Sequence, residues 1–272
     1  MSSIREIGSD RPSINLIISL TYAGLAMVLF TYLAPPVLTP SMAAAIPLLG
    51  TLPGDLPGYV SRFLASFLLL GVGPIVLARI FGWNRSYLGI ANSRGFLKTG
   101  LFFILLAAFL LVGFTSAYSK GLSSFYPYSH TLVVWSTSVS GWYFVLHVVL
   151  YFVFYYVPWE LFFRGFLILP FLIAYERSTA AGPTPPDSGI TRAGFVLVIA
   201  SFQIIPSALL HFGHPFSEMA TAVLFGLVAA WLVCRTRSVL PGLFLHAAIG
   251  IALDTGILFR KLGVFPALPW LS

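Results

Sequence analysis

Trp159-Glu160-Leu161-Phe162-Phe163-Arg164-Gly165 sets a carboxylate and a guanidinium four residues apart inside the apolar block 131–175. Residues at that spacing share one face of a helix. Ionised side chains at membrane depth are costly unless paired or hydrated, so they mark a functional site by default. Lipid cannot satisfy open backbone groups, which leaves helices as the form of each span. The stretch therefore predicts an all-α, polytopic transmembrane helical bundle.

Composition agrees. Of 272 residues, 58% are hydrophobic and 8% charged, against about 25% charged in an ordinary soluble domain. Such a chain has too little polar surface to be covered by water. The formal charge of +7 would point to nucleic acid in a soluble protein. Here the basic residues fall in short connections and at helix ends, where they set topology, and no nucleic-acid partner is expected. The single Cys234 excludes an internal disulfide and a cysteine metal cage. The first apolar run, Ile14–Leu33, is too long for a secretory signal and reads as a span.

Further spans are expected near 60–81, 97–117, 193–213, 217–234 and 239–258, with loops at 34–59, 118–130 and 176–192. The block 131–175 is long enough for about two spans, and Pro158 removes a backbone donor where a break would fall. Split there, the chain has about eight spans; unsplit, it has seven. The distribution of basic residues favours seven, and bringing the polar groups together favours eight. Residues 1–130 then form an N-terminal membrane scaffold of three spans, 131–258 the functional core and 259–272 a C-terminal tail, all in one integrated membrane domain.

Ionisable residues within spans are confined almost entirely to the core. Glu160 and Arg164 pair on one face, either neutralising each other or leaving one Glu160 oxygen turned to water. His211 and His214 precede Glu218, with Gly213 and Pro215 predicting a helix break between them. Pro215 suits the first turn of the following helix, where Glu218 would be favoured by the dipole. His246 lies beside the small residues Ala247, Ala248 and Gly250, which permit close helix approach. Asp254 follows His246 by two turns on the same face. His147 has no ionisable companion and reads as structural, and His214 is the weaker site candidate.

Taken together, Glu160-Leu-Phe-Phe-Arg164-Gly165, Leu210-His211, Phe225-Gly226-Leu227 through Arg235-Thr236-Arg237-Ser238, and Leu245-His246 resemble the three motifs of the CPBP intramembrane proteases, which include the type II CAAX prenyl endopeptidases. The resemblance covers residues 140–258. It implies glutamate-dependent hydrolysis of a peptide bond within the membrane, in an integral multi-pass protein of a bacterial or archaeal cell membrane. The partners it implies are the lipid bilayer and a membrane-anchored substrate, prenylated or carrying a C-terminal anchor. Carried over, His211 would help a glutamate activate water and His246 would stabilise the oxyanion. Two positions depart from the family pattern. Trp159 stands where the first of two adjacent glutamates is usual, and Gly250 where an asparagine is usual. The base would then be Glu160 or Glu218, with Arg164 and Asp254 in support.

No cofactor is expected. A zinc site built from His211, His246 and either Glu160 or Glu218 is the metal-dependent alternative, although no His-Glu-x-x-His helix is present. Two further functional classes stay open: a non-catalytic relative that binds membrane peptides or proteins, and a transporter. The second lacks the inverted repeat common in transporters.

Overall fold

The computed structural model describes residues 11–33, 47–90, 94–127, 129–180 and 191–264, and every regular element within them is helical. The principal helices are α1 (Arg11–Leu33), α2 (Leu56–Ile80), α3 (Gly100–Ser116), α4 (His130–Ser138), α5 (Trp142–Thr179), α6 (Arg192–Leu209), α7 (Phe216–Thr236) and α8 (Leu240–Lys261). Six of these, α1, α2 and α5 to α8, are long and apolar enough to cross a membrane. At 17 residues α3 is apolar but shorter, about 25 Å at the usual rise per residue.

Pro158 does not divide the apolar block. Residues 142–179 form one 38-residue helix, preceded by the short α4, so the block supplies one long helix rather than two spans. Two wide π-type turns, Phe152–Tyr156 and Leu161–Phe166, bracket the proline. Proline lacks an N–H and crowds the carbonyl four residues back. A π turn in front of it has already abandoned the i→i−4 pattern, so the expected break becomes a widening. The C-terminal end also differs from expectation, since α5 continues through residues read as loop. Most of that loop, 181–190, lies outside the described residues, as do residues 265–272 of the expected tail.

Burial sorts the helices into a centre and a periphery. Within the apolar window of each helix, 78% of α5 and 61% of α8 is buried, against 22% for both α1 and α6. A helix that is apolar all round and buried all round belongs at the centre of a bundle. Phe162, Phe163 and Phe166 of α5 are fully buried, and they join Phe30 of α1 and Tyr59 and Phe63 of α2 in the largest core cluster. The outer helices expose apolar side chains such as Ile17, Leu111 and Leu197, as lipid-facing surfaces do.

Small residues bring α3 against α8. A Cβ on Gly113 would lie 2.3 Å from the Ile249 carbonyl oxygen, and one on Gly256 would lie 2.7 Å from the Ala117 Cβ. Without a hydrophobic drive between helices in lipid, this close packing is what holds them. Asp55 accepts hydrogen bonds from the Ser129 hydroxyl and from the Thr131 and His130 amides. It thereby ties the start of α2 to the first turn of α4, where a carboxylate is favoured.

The connection from α6 to α7 breaks where the sequence says it should. Gly213 adopts φ +91°, which favours glycine, and α7 starts at Phe216. Pro215 is the cap residue just before the first turn rather than within it, and Glu218 sits in that turn.

Candidate active site

One face of α8 repeats every four residues as Gly242, His246, Gly250 and Asp254, and each of these meets α5. His246 Nδ1 donates to Glu160 Oε1 at 2.7 Å. A Cβ on Gly242 would lie 3.0 Å from Glu160 Oε2, and one on Gly250 would lie 1.8 Å from the Tyr156 hydroxyl. Asp254 Oδ2 accepts from His147 Nε2 at 2.9 Å. Glycine at two of these positions lets the helices approach; histidine and aspartate at the other two make the polar contacts.

Glu160 and Arg164 are 0% and 1% exposed, an ion pair with Oε2 and Nε 3.2 Å apart. The atoms are near but not aligned for a hydrogen bond, so Glu160 Oε2 and Arg164 Nε and Nη1 lack hydrogen-bond partners among the described residues. The guanidinium also lies 5.1 Å from the centre of the Phe225 ring, a favourable cation–π geometry. Desolvated on both sides, neither charge is stable without the other.

The second group sits around Glu218. Its Oε1 accepts from His214 Nδ1 at 2.9 Å and from the Tyr126 hydroxyl, and Oε2 lacks a partner among the described residues. His211 Nδ1 donates to the Ser207 carbonyl at 2.6 Å. That bond fixes the tautomer and leaves Nε2, 3.8 Å from Glu218 Oε1, as the ring's acceptor nitrogen. A gap of 3.8 Å is too long for a direct bond and suits two groups that share one water. His211 lies between the spans, and burial pushes its imidazole below the ordinary value of 6.5, outweighing the Ser207 carbonyl and the Glu218 charge.

Both groups face one cavity of about 140 Å³. His211, Glu218, His246, Arg164 and Asp254 line it; Trp159, Tyr155 and Tyr156 form an aromatic wall. Glu160 is behind His246, away from that lining. The Trp159 indole is buried against Tyr155 and Phe163, and its ring centre is 5.9 Å from that of His211 and 6.4 Å from that of His246. Thus the structure brings together all six residues singled out in the sequence, but in separate groups: Glu160 with His246 and Arg164, Glu218 with His214 and, at 3.8 Å, His211, and Asp254 with His147.

Two of these readings change. His147 has an ionisable companion after all, since it bridges Asp254 and the Tyr59 hydroxyl, 2.8 Å from its Nδ1; the partner lies 107 residues away in sequence. His214, read as the weaker candidate, is closer to Glu218 than His211 is. Tyr126 and Tyr156 were not singled out, and an aromatic loop residue and a tyrosine in an apolar helix carry no local signal of a polar role. For the zinc alternative, no group of three His, Cys, Asp or Glu side chains among the described residues converges in a way that could hold a metal ion.

Fold and site together define an integral membrane protein with an acidic and imidazole-lined cavity inside its helical bundle. Residues 140–252 match the family model described as type II CAAX prenyl endopeptidase Rce1-like. The resemblance read from the motifs therefore holds over the segment that carries α5, α6, α7 and about half of α8, and it suggests an intramembrane CAAX-type protease. No curated protein and no solved structure matches the chain.

Proposed function

We propose that the protein is an intramembrane endopeptidase that hydrolyses a peptide bond in a membrane-anchored substrate, prenylated or held by a C-terminal anchor. The observation that carries this reading is the 3.8 Å separation of Glu218 Oε1 and His211 Nε2 on the wall of a cavity that also holds His246. Glu218 takes the place of base that Trp159 leaves vacant. A water held between its carboxylate and the His211 acceptor nitrogen gives up a proton to Glu218 as its oxygen attacks the scissile carbonyl. His246, when doubly protonated, donates Nε2–H to the oxyanion while its Nδ1–H stays on Glu160. Glu160 is then a positioning residue that holds His246, and Arg164 pairs with Glu160.

A membrane peptide-binding role without catalysis is the second reading. It draws on Trp159, whose bulk stands next to both histidines. The two separate in proteoliposomes carrying a panel of prenylated and C-terminally anchored peptides, with products identified by mass spectrometry. Cleavage by the wild-type chain that falls at least about a hundredfold in Glu218→Gln and in His211→Ala supports hydrolysis. Peptide retention without cleavage in all three proteins supports binding alone.

A further inference from the structure

The Tyr156 hydroxyl occupies the volume that a side chain at position 250 would fill. A Cβ built on Gly250 would fall 1.8 Å from that oxygen and 2.9 Å from the ring carbon bearing it. Gly250 lies one helical turn after His246 on the same face of α8, and Tyr156 lies one turn before Glu160 on α5. The two helices therefore present the His246 and Tyr156 rings side by side. Their ring centres are 4.9 Å apart, and both residues line the cavity that holds Glu218 and His211. Tyr151, Tyr155 and Trp159 pack on the Tyr156 ring or beside it and fix its direction.

We infer that Tyr156 is a catalytic residue, the second oxyanion donor beside His246; this rests on the hydrolase reading above. In the addition step the water oxygen bonds to the carbonyl carbon and the water proton passes to Glu218. The carbonyl π pair moves onto its oxygen, which accepts from the Tyr156 O–H and from His246 Nε2–H. Neither donor gives up its proton. Collapse re-forms the carbonyl and breaks the C–N bond, and the proton on Glu218 passes to the departing nitrogen, giving a carboxylic acid and an amine. A phenol whose ring is held among packed aromatic side chains needs little reorganisation to donate, which is the condition under which such a donor accelerates the step.

The test uses the full chain in the same proteoliposomes, with whichever panel peptide is cleaved and a peptide aldehyde of the same sequence, whose hydrate mimics the tetrahedral oxyanion. Tyr156→Phe removes the hydroxyl and keeps the ring. It is expected to lower kcat by about 10²–10³-fold with KM within about threefold, to weaken the aldehyde by a similar factor, and to leave the affinity for the matching peptide alcohol unchanged. A Phe variant within about twofold of wild type in kcat, or one that weakens alcohol and aldehyde equally, overturns the donor role while the hydrolase reading stands. Absence of cleavage by the wild-type chain across the panel overturns both.

Discussion

Arg164→Met probes the buried pair at the centre of α5. The substitution keeps an unbranched aliphatic stem in a fully buried position and deletes the guanidinium that lies 3.2 Å from Glu160. Glu160, at 0% exposure, would then have only the His246 hydrogen bond at 2.7 Å to hold it. Breaking one side of a buried ion pair costs about 3–5 kcal/mol. The surviving charge-assisted bond to His246 places the cost at the lower end, about 3 kcal/mol. At about 2–4 °C per kcal/mol for a chain of this size, the apparent melting temperature falls by about 10 °C. Glu160→Gln strands the guanidinium in the same way and should cost a comparable amount. The double variant removes both charges together and should cost about 1 kcal/mol, because replacing a whole buried pair is close to neutral. Thermal unfolding of the four proteins in detergent, followed by tryptophan fluorescence, measures the cycle, and a coupling of at least about 2 kcal/mol is expected. Additive losses, or an Arg164→Met variant melting within about 2 °C of wild type, would refute the claim that the pair is desolvated and mutually dependent.

Gly250→Ala places a Cβ against the Tyr156 hydroxyl, 1.8 Å away in the present geometry, so it should destabilise by about 1–3 kcal/mol. Adding Tyr156→Phe should recover part of that loss in the same melting assay. Burial pushes the Asp55 carboxyl up, but its hydrogen bonds with Thr131, Ser129 and His130 outweigh this and hold it below the ordinary 3.8. A depressed folded value means that the unfolded chain binds the extra proton, so the contribution is complete above the ordinary value and is lost as pH falls through the lower one. Asp55→Asn should therefore melt below wild type at pH 7, with the gap narrowing as the pH is lowered beneath the ordinary 3.8. Because burial keeps His211 neutral below its ordinary 6.5, the acid limb of kcat/KM, where His211 takes up a proton, should be centred below pH 6.5. An acid limb centred at or above pH 6.5 would contradict His211 as the acceptor at the water. Finally, Glu160→Gln should lower kcat less than Glu218→Gln does, since only Glu218 reaches the cavity; the reverse order in the peptide assay would return the base to Glu160.

Much of the fold was legible because the physics behind it is local. A chain with 8% charged residues declares its solvent, and the turn at Gly213 and the start of α7 follow from glycine and proline alone, whereas α6 ends at Leu209, short of the expected 213. What Pro158 would do was not local. A proline ends a regular helix, but π turns on both sides of it leave no regular bond to break, and nothing in Phe152–Tyr156 or Leu161–Phe166 marks such a turn in advance. The choice between eight and seven spans hung on that one residue, and the helix that runs unbroken through it is a matter of backbone register.

The same register governs the site. On α8 the rhythm of Gly242, His246, Gly250 and Asp254 is regular and was partly visible in the sequence, with Asp254 placed on the His246 face. Its counterpart on α5 is not regular. His147 and Tyr156 are nine residues apart, about two and a half turns of an ideal α-helix, which would point them to opposite sides. Both nonetheless reach the one face of α8, Tyr156 at Gly250 and His147 at Asp254. The π turn at Phe152–Tyr156 lies between them and takes up part of the offset. Counting residues on an ideal helix therefore separates the side chains that the real helix brings into line. It follows that α5 cannot be straightened without taking apart the wall it shares with α8. Replacing the widened turn by a regular one, through deletion of a single residue within 152–156, should cost both the His147–Asp254 bond and the Tyr156–Gly250 contact. A deletion variant that kept wild-type melting would show that the two helices do not depend on this register.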